Sequence, residues 1–216
     1  LKYDDIANDQ RQNLYRQRRD LLSRSSIQDK IEGIFHKCFE NTLQLLHKDF
    51  NSKAYDPERI IDMLSKLFPH CPSKHTLENA EHIPTAVAKH YYDHYIAQIT
   101  IVNQSQRNEL EKGLFLQIID HHWKEHLLLM EDLRESIGLK GYAQKNPEQE
   151  YKLEAHAMFE TMFSKAQFDF VMQLSRLQIQ TEPSEERLEK TPSQSTAPSS
   201  SLAKAQEGVR IATPLD

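Results

Sequence analysis

The chain has 216 residues, with 27 Lys and Arg against 32 Asp and Glu and a formal net charge of -5. That balance gives no reason to expect nucleic-acid binding, because a phosphate backbone calls for a clustered excess of Lys and Arg. Only 5 glycines, a 38% hydrophobic share and a 27% charged share fit amphipathic helices, and predict an all-α protein of one large or two small domains.

The first predicted helix spans residues 2 to about 24, where Tyr3, Ile6, Ala7, Leu14, Leu21 and Leu22 form a thin apolar stripe among many charges. Ser25 and Ser26 break the pattern and suit a cap for the next helix. From Asp29 to His47 the residues Ile31, Ile34, Phe35, Cys38, Phe39, Thr42, Leu45 and Leu46 recur at helical spacing. Cys38 falls on that apolar face and reads as a small buried hydrophobe. Asp56 and Pro57 open a short helix carrying Ile60, Ile61, Leu64 and Leu67. Pro69, Pro72 and Pro84 bracket a stretch expected to be irregular, and a further helix from about Pro84 carries Val87, Tyr91, Tyr95, Ile99 and Val102. The polar run 103–108 is the expected joint between that helix and a pair of longer ones.

In the pair, Leu116, Ile119, Trp123, His126, Met130, Leu133 and Ile137 lie on one stripe, and Ala155, Phe159, Met162, Ala166, Phe170, Leu174 and Leu177 on another. Between them, Gly138 and Gly141 suit a left-handed helix terminus. Asn146, Pro147 and Gln149 then come in the order of a capping box. The prediction is an antiparallel hairpin with a basic, tyrosine-bearing tip, about 35 Å long at 1.5 Å per residue. After Leu177 the periodicity fades, and the Pro-, Ser-, Thr- and Glu-rich end is expected to be disordered.

Several runs carry specific wording. They are Trp123-Lys124-Glu125-His126-Leu127, Leu133-Arg134, Ile137, Leu139, Gly141-Tyr142-Ala143-Gln144, Pro147, Glu150-Tyr151 and Met158-Phe159. The first helix adds Tyr3, Asp4, Asp5, Ala7, Asn8, Asp9, Gln10, Arg11, Tyr15 and Arg18. In these the chain resembles the scaffold and two-helix finger of the SecA family, motor subunits of the bacterial protein translocase. The resemblance implies a truncated first scaffold helix at 1–28, a helical wing domain at 29–103, the two-helix finger at 104–180 and a disordered linker at 181–216. The wing assignment rests on order along the chain. The sequence opens on Leu1 inside a helical pattern and reads as part of something longer.

What the resemblance implies about function is mechanical. The finger tip, Lys140, Gly141, Tyr142, Gln144 and Lys145, would meet a secretory preprotein at the SecYEG channel, with Tyr142 as the contacting ring. Tyr3, Asp5, Asn8, Asp9, Arg11 and Arg18 would meet motor domains of the same parent chain. Those domains would hold ATP and Mg, and the finger would restrain their turnover until channel and substrate engage. The location implied is cytoplasmic and peripheral at the inner membrane, with the tip lysines near acidic headgroups. No G-x-x-x-x-G-K-[ST] loop occurs in this chain, so no nucleotide site is expected here.

Read without the resemblance, other chemistry competes. His122-Trp123-Lys124-Glu125-His126 spells H-x-x-E-H, the inverted zinc-peptidase order of two His one helical turn apart with a Glu as base. The plainer reading packs His126 in the seam against a hydrogen-bonding neighbour and leaves His122 near the surface. His90 and His94 form another such pair, read as a surface helix face, and His70, Cys71 and His75 read as a chance grouping in the Pro-rich loop. Cys38 and Cys71 are too few for a disulfide framework or zinc knuckle, and a reducing setting is the default. No apolar run approaches the length of a membrane span, and no signal peptide is visible. A zinc hydrolase and a generic helical adaptor therefore remain as alternatives to the translocase part.

Overall fold

The computed structural model describes residues 2–49, 55–140 and 146–178. Among the described residues there are seven helices and no strand, so the molecule is all-α. The expected disordered tail at 181–216 and the finger-tip residues 141–145 lie outside the described residues.

Helix α1, Lys2–Ser23, turns Gln10, Leu14 and Leu21 inward and leaves Leu22 exposed. It stops at the serine pair, where the Ser26 hydroxyl accepts from the Gln28 amide at 3.3 Å and α2, Gln28–Asp49, begins. Ile31, Phe35, Cys38, Phe39 and Leu43 form the buried stripe of α2. Helix α3, Pro57–Leu67, is started by Asp56, whose carboxylate accepts from the Glu58 amide, with Pro57 in the first turn. The chain then reverses through Phe68, Pro69 and His70. His70 takes the left-handed conformation, φ 58°, which His adopts more readily than most side chains do. The Pro-rich stretch is not wholly irregular: Ser73 caps a short helix α4, Lys74–Glu78. Helix α5, Ile83–Ile99, runs antiparallel to α2, with Tyr95 stacked on Phe35 at 6.0 Å and Tyr91 on Phe39 at 4.9 Å.

Helix α6, Gln104–Lys140, is 37 residues long, about 55 Å at 1.5 Å per residue. Two expectations at its ends need correction. The polar run 103–108 is not the joint; the turn lies at 100–103, and Asn103 caps α6 by accepting from the Gln106 amide at 2.9 Å. That run is polar because it is an exposed first turn. At the other end Gly138 does not terminate the helix, which continues to Lys140. Helix α7, Pro147–Ser175, opens with Asn146 accepting from the Glu148 amide and Pro147 in the first turn, an Asn cap as the sequence suggests.

Two cores result. The larger joins the wing helices to the base of the hairpin, bringing Phe35, Phe39, Phe68, Tyr91 and Tyr95 into one cluster with Ile119, Ala166, Phe170 and Leu174. The smaller lies toward the tip and contains Met130, Leu133, Ile137, Tyr151 and Ala155, with Tyr3, Ile6 and Met158 against them.

Candidate functional site

The hairpin stripes meet. Ile119, His126, Met130, Leu133 and Ile137 from α6, and Phe159, Met162 and Phe170 from α7, are all buried, while Leu116 and Trp123 are half-buried. Phe115 stands edge-on to Phe170 at 4.8 Å, and Phe159 sits 5.7 Å from the His126 ring. The seam is closed from the side by a third helix. Helix α1 lies antiparallel to α6, and its polar residues make rungs along it. Asp4 pairs with Arg134 at 3.3 Å, Gln10 meets His126 at 2.8 Å, and Arg18 pairs with Asp120. Past the end of α1, Lys112 and Asn108 donate to the carbonyls of Arg24 and Ser25. The outer ion pairs are partly or well exposed and contribute at most about 1 kcal/mol each.

The Gln10 rung is different because it is buried. Its amide nitrogen donates to the Ala155 carbonyl at 3.0 Å, so its oxygen faces His126 and the His126 Nε2–H must be the donor. One side chain thus bridges α1, α6 and α7. His126 Nδ1 is buried without a hydrogen-bond partner among the described residues, and burial lowers the pKa of the ring below its usual 6.5.

A second buried polar group sits where the wing joins the rod. Glu111, fully buried on α6, accepts from the Tyr95 hydroxyl of α5 and from Arg107 Nε, the latter at 2.7 Å. The Arg107 guanidinium lies over the Tyr95 ring, 5.9 Å from its centre. Burial, reinforced by the bond to Glu111, raises the Tyr95 pKa.

Of the scaffold residues, Tyr3 packs edge-on to Tyr151 at 4.5 Å and Arg18 is engaged by Asp120. Asp5, Asn8, Asp9 and Arg11 face solvent. Lys140 ends α6, and Gly141, Tyr142, Gln144 and Lys145 lie outside the described residues.

The H-x-x-E-H histidines are committed to different partners, although His122, Glu125 and His126 line one cleft and Glu125 lies 3.7 Å from His122 Nδ1. His122 is buried rather than near the surface, and its Nε2 donates to Asp169 on α7 at 2.7 Å. His126 is committed to Gln10, and Glu125 is exposed. In the wing, His90 donates to the His70 carbonyl at 2.7 Å, and the His70 and His94 rings lie 4.4 Å apart. His90 and His94 are half-buried against the loop at the exposed His70 rather than forming a free helix face. The Tyr91 hydroxyl reaches Cys71 at 3.5 Å, while His75 pairs with Asn79 at the end of α4. Among the described residues no group of three or more His, Cys, Asp or Glu is placed to hold a metal ion. Burial pushes the Cys38 thiol up to about 12, so it is no nucleophile. Among the described residues no helix is long and apolar enough to cross a membrane.

Three residues that organise this assembly have no such role visible in the sequence: Gln10 as a bridge, Glu111 and Asp169. Gln10 does leave a signal, since it fills the gap in the α1 stripe between Ile6 and Leu14. Glu111 and Asp169 sit among ordinary helix charges and leave none.

Comparison with known proteins bears on this geometry. The family model described as the SecA wing and scaffold domain matches residues 1–178. A protein translocase subunit SecA from Legionella pneumophila strain Lens is 33% identical over 189 residues, which is 84% of this chain and 21% of the relative. One from Wolinella succinogenes is 32% identical over 197 residues, 86% of this chain and 22% of that protein. One from Coxiella burnetii is 34% identical over 189 residues, 84% of this chain and 21% of its own length. The chain therefore spans about a fifth of the length of the curated relatives it matches.

Proposed function

The chain belongs to the family of SecA wing and scaffold domains, and on that premise we propose that it is the mechanical end of a SecA-like protein translocase. Motor domains elsewhere in the parent protein bind ATP and Mg and change their arrangement. The exposed α1 residues Asp5, Asn8, Asp9 and Arg11 receive that motion. The rod of α6 and α7 delivers it to preproteins at the SecYEG channel through the tip residues Lys140, Gly141, Tyr142, Gln144 and Lys145. The work is done at the cytoplasmic face of the membrane, with the tip lysines close to acidic headgroups.

The observation that carries this reading is the pairing of family membership with a stiff three-helix rod welded at one end to a wing. Three helices packed side by side bend less than one helix would, which suits the rod to transmit displacement. Tyr142 supplies the contact, because an aromatic ring with a polar edge touches many sequences without selecting one. The test is Tyr142→Ala in the complete motor. Preprotein transport is expected to fall while circular dichroism and melting stay at parental values; unchanged transport refutes the assignment. The hydrolase alternative is tested separately by metal analysis of the purified chain, where one equivalent of zinc would revive it.

A further inference from the structure

The one polar bridge buried in the upper rod among the described residues has no obvious reason to be polar. Gln10 lies between Ile6 and Leu14 on a face that packs toward the cluster of Met130, Tyr151 and Ala155. A Leu or Met there would bury more apolar surface, yet the chain keeps Gln10 and leaves His126 Nδ1 buried without a partner among the described residues. A buried polar contact inside an apolar seam earns its place when it selects one alignment among several that pack almost equally well. Apolar ridges on helices repeat every turn, about 5.4 Å, so ridge packing alone does not single out one alignment of the upper part of α1 on α6. The Gln10 amide breaks that equivalence: its nitrogen donates to the Ala155 carbonyl, and its oxygen accepts from the His126 Nε2–H, a side-chain group that does not recur at the next turn of α6.

The geometry points to Gln10 and His126 as positioning residues that fix the axial register of the finger on the scaffold helix, and so set how far the tip reaches. The flanking rungs support this role. Asp4–Arg134 and Arg18–Asp120 lie on either side of the bridge, each about two helical turns from it. Being exposed or half-exposed, they follow a shift more easily than they resist one. The inference rests on the translocase reading only where transport is the readout; the register itself is measurable without it.

Three variants test it: Gln10→Leu, His126→Leu, and His126→Gln, whose amide nitrogen stands where Nε2 does. Spin labels at Asn13 on α1 and Lys124 on α6, both exposed, report the offset between the helices by electron–electron distance measurement. The complete motor reports preprotein moved per ATP consumed. Gln10→Leu, which removes both bonds of the bridge, and His126→Leu, which removes one, are expected to broaden or shift the distance distribution and to lower the transport ratio by about threefold or more. His126→Gln is expected to keep both near parental values. A parental distance and ratio in Gln10→Leu overturns the inference, and so does a His126→Gln that fails as badly as His126→Leu. If His126→Leu does not fold, Gln10→Leu decides. A parent motor that moves no preprotein defeats the translocase reading instead, and the distance measurement still decides the register.

Discussion

In the wing, Phe39 lies flat on Tyr91 at 4.9 Å and leans on Phe68 at 5.1 Å, with Tyr95 stacked on Phe35 beside them. In the upper finger the buried set is Met130, Leu133, Ile137, Tyr151 and Ala155, helped by a ladder of polar rungs from α1. The first arrangement resists deformation in every direction, because interlocked rings have no neighbouring packing to move into. The second is held lengthwise at its base by Leu14, Leu21 and the carbonyls of Arg24 and Ser25, and farther up by one buried amide. Stability and positional control are thus assigned to different parts of one helical chain. The long helix α6 belongs to both, since its base shares the wing core and its far half belongs to the rod.

The sharpest way to break this contrast is Phe39→Ala. It removes a fully buried ring from the wing stack and is expected to destabilise by about 4 kcal/mol in chemical denaturation. A loss comparable to that of a surface substitution would mean the aromatic cluster is not the anchor. Glu111→Ala comes next. It leaves the half-buried Arg107 without its carboxylate and orphans the buried Tyr95 hydroxyl, with an expected loss of about 3 kcal/mol in the same measurement. Ile137→Ala probes the far half, where relaxation into open space is easier, and should lose about 2 kcal/mol. In native-state hydrogen exchange the amides around 130–137 should open well before those of α2.

The two regions also differ in how far their residues announce them. The two stripes of the hairpin, the Asn146 cap and the Asp56 cap are legible because they rest on local spacing and local hydrogen bonds. The continuation of α6 through Gly138 is not, since a glycine offers a helix terminus without enforcing one. The third helix of the rod is half-legible: Leu14 and Leu21 announce a buried face, but a stripe does not say what it packs against. Gln10, Glu111 and Asp169 act through partners 145, 16 and 47 positions away in sequence, and no short-range pattern encodes such pairings. The tip at 140–145 is announced by the Gly138, Gly141 and Asn146–Pro147 punctuation, while its contact role is implied by resemblance alone.

Acid pH separates the two regions more gently. Burial lowers the pKa of His126, and in the wing burial followed by His70 and His90 lowers that of His94. The folded chain therefore takes these protons less readily than the unfolded chain, whose imidazoles titrate near 6.5. Stability should be complete above that value and decline as pH falls from it toward the lowered native values. His126→Gln should flatten the rod's share of the decline and His94→Gln the wing's, both read as melting temperature between about pH 7 and 5. The smallest effect is expected at Leu153, which is 74% exposed on the outside of α7. Leu153→Lys should change stability by no more than about 0.5 kcal/mol, and a larger loss would mean the rod has a covered face there.

The unbroken length of α6 has a consequence of its own. Its base is clamped by Tyr95 and by the carbonyls of Arg24 and Ser25, and the whole helix is about 55 Å long. Pivoting at that clamp through about 5° would carry the far end, about 43 Å away, through about 4 Å. Angular precision at a few buried atoms near residue 111 is therefore multiplied into travel at residue 140, as in a lever with a short arm and a long one.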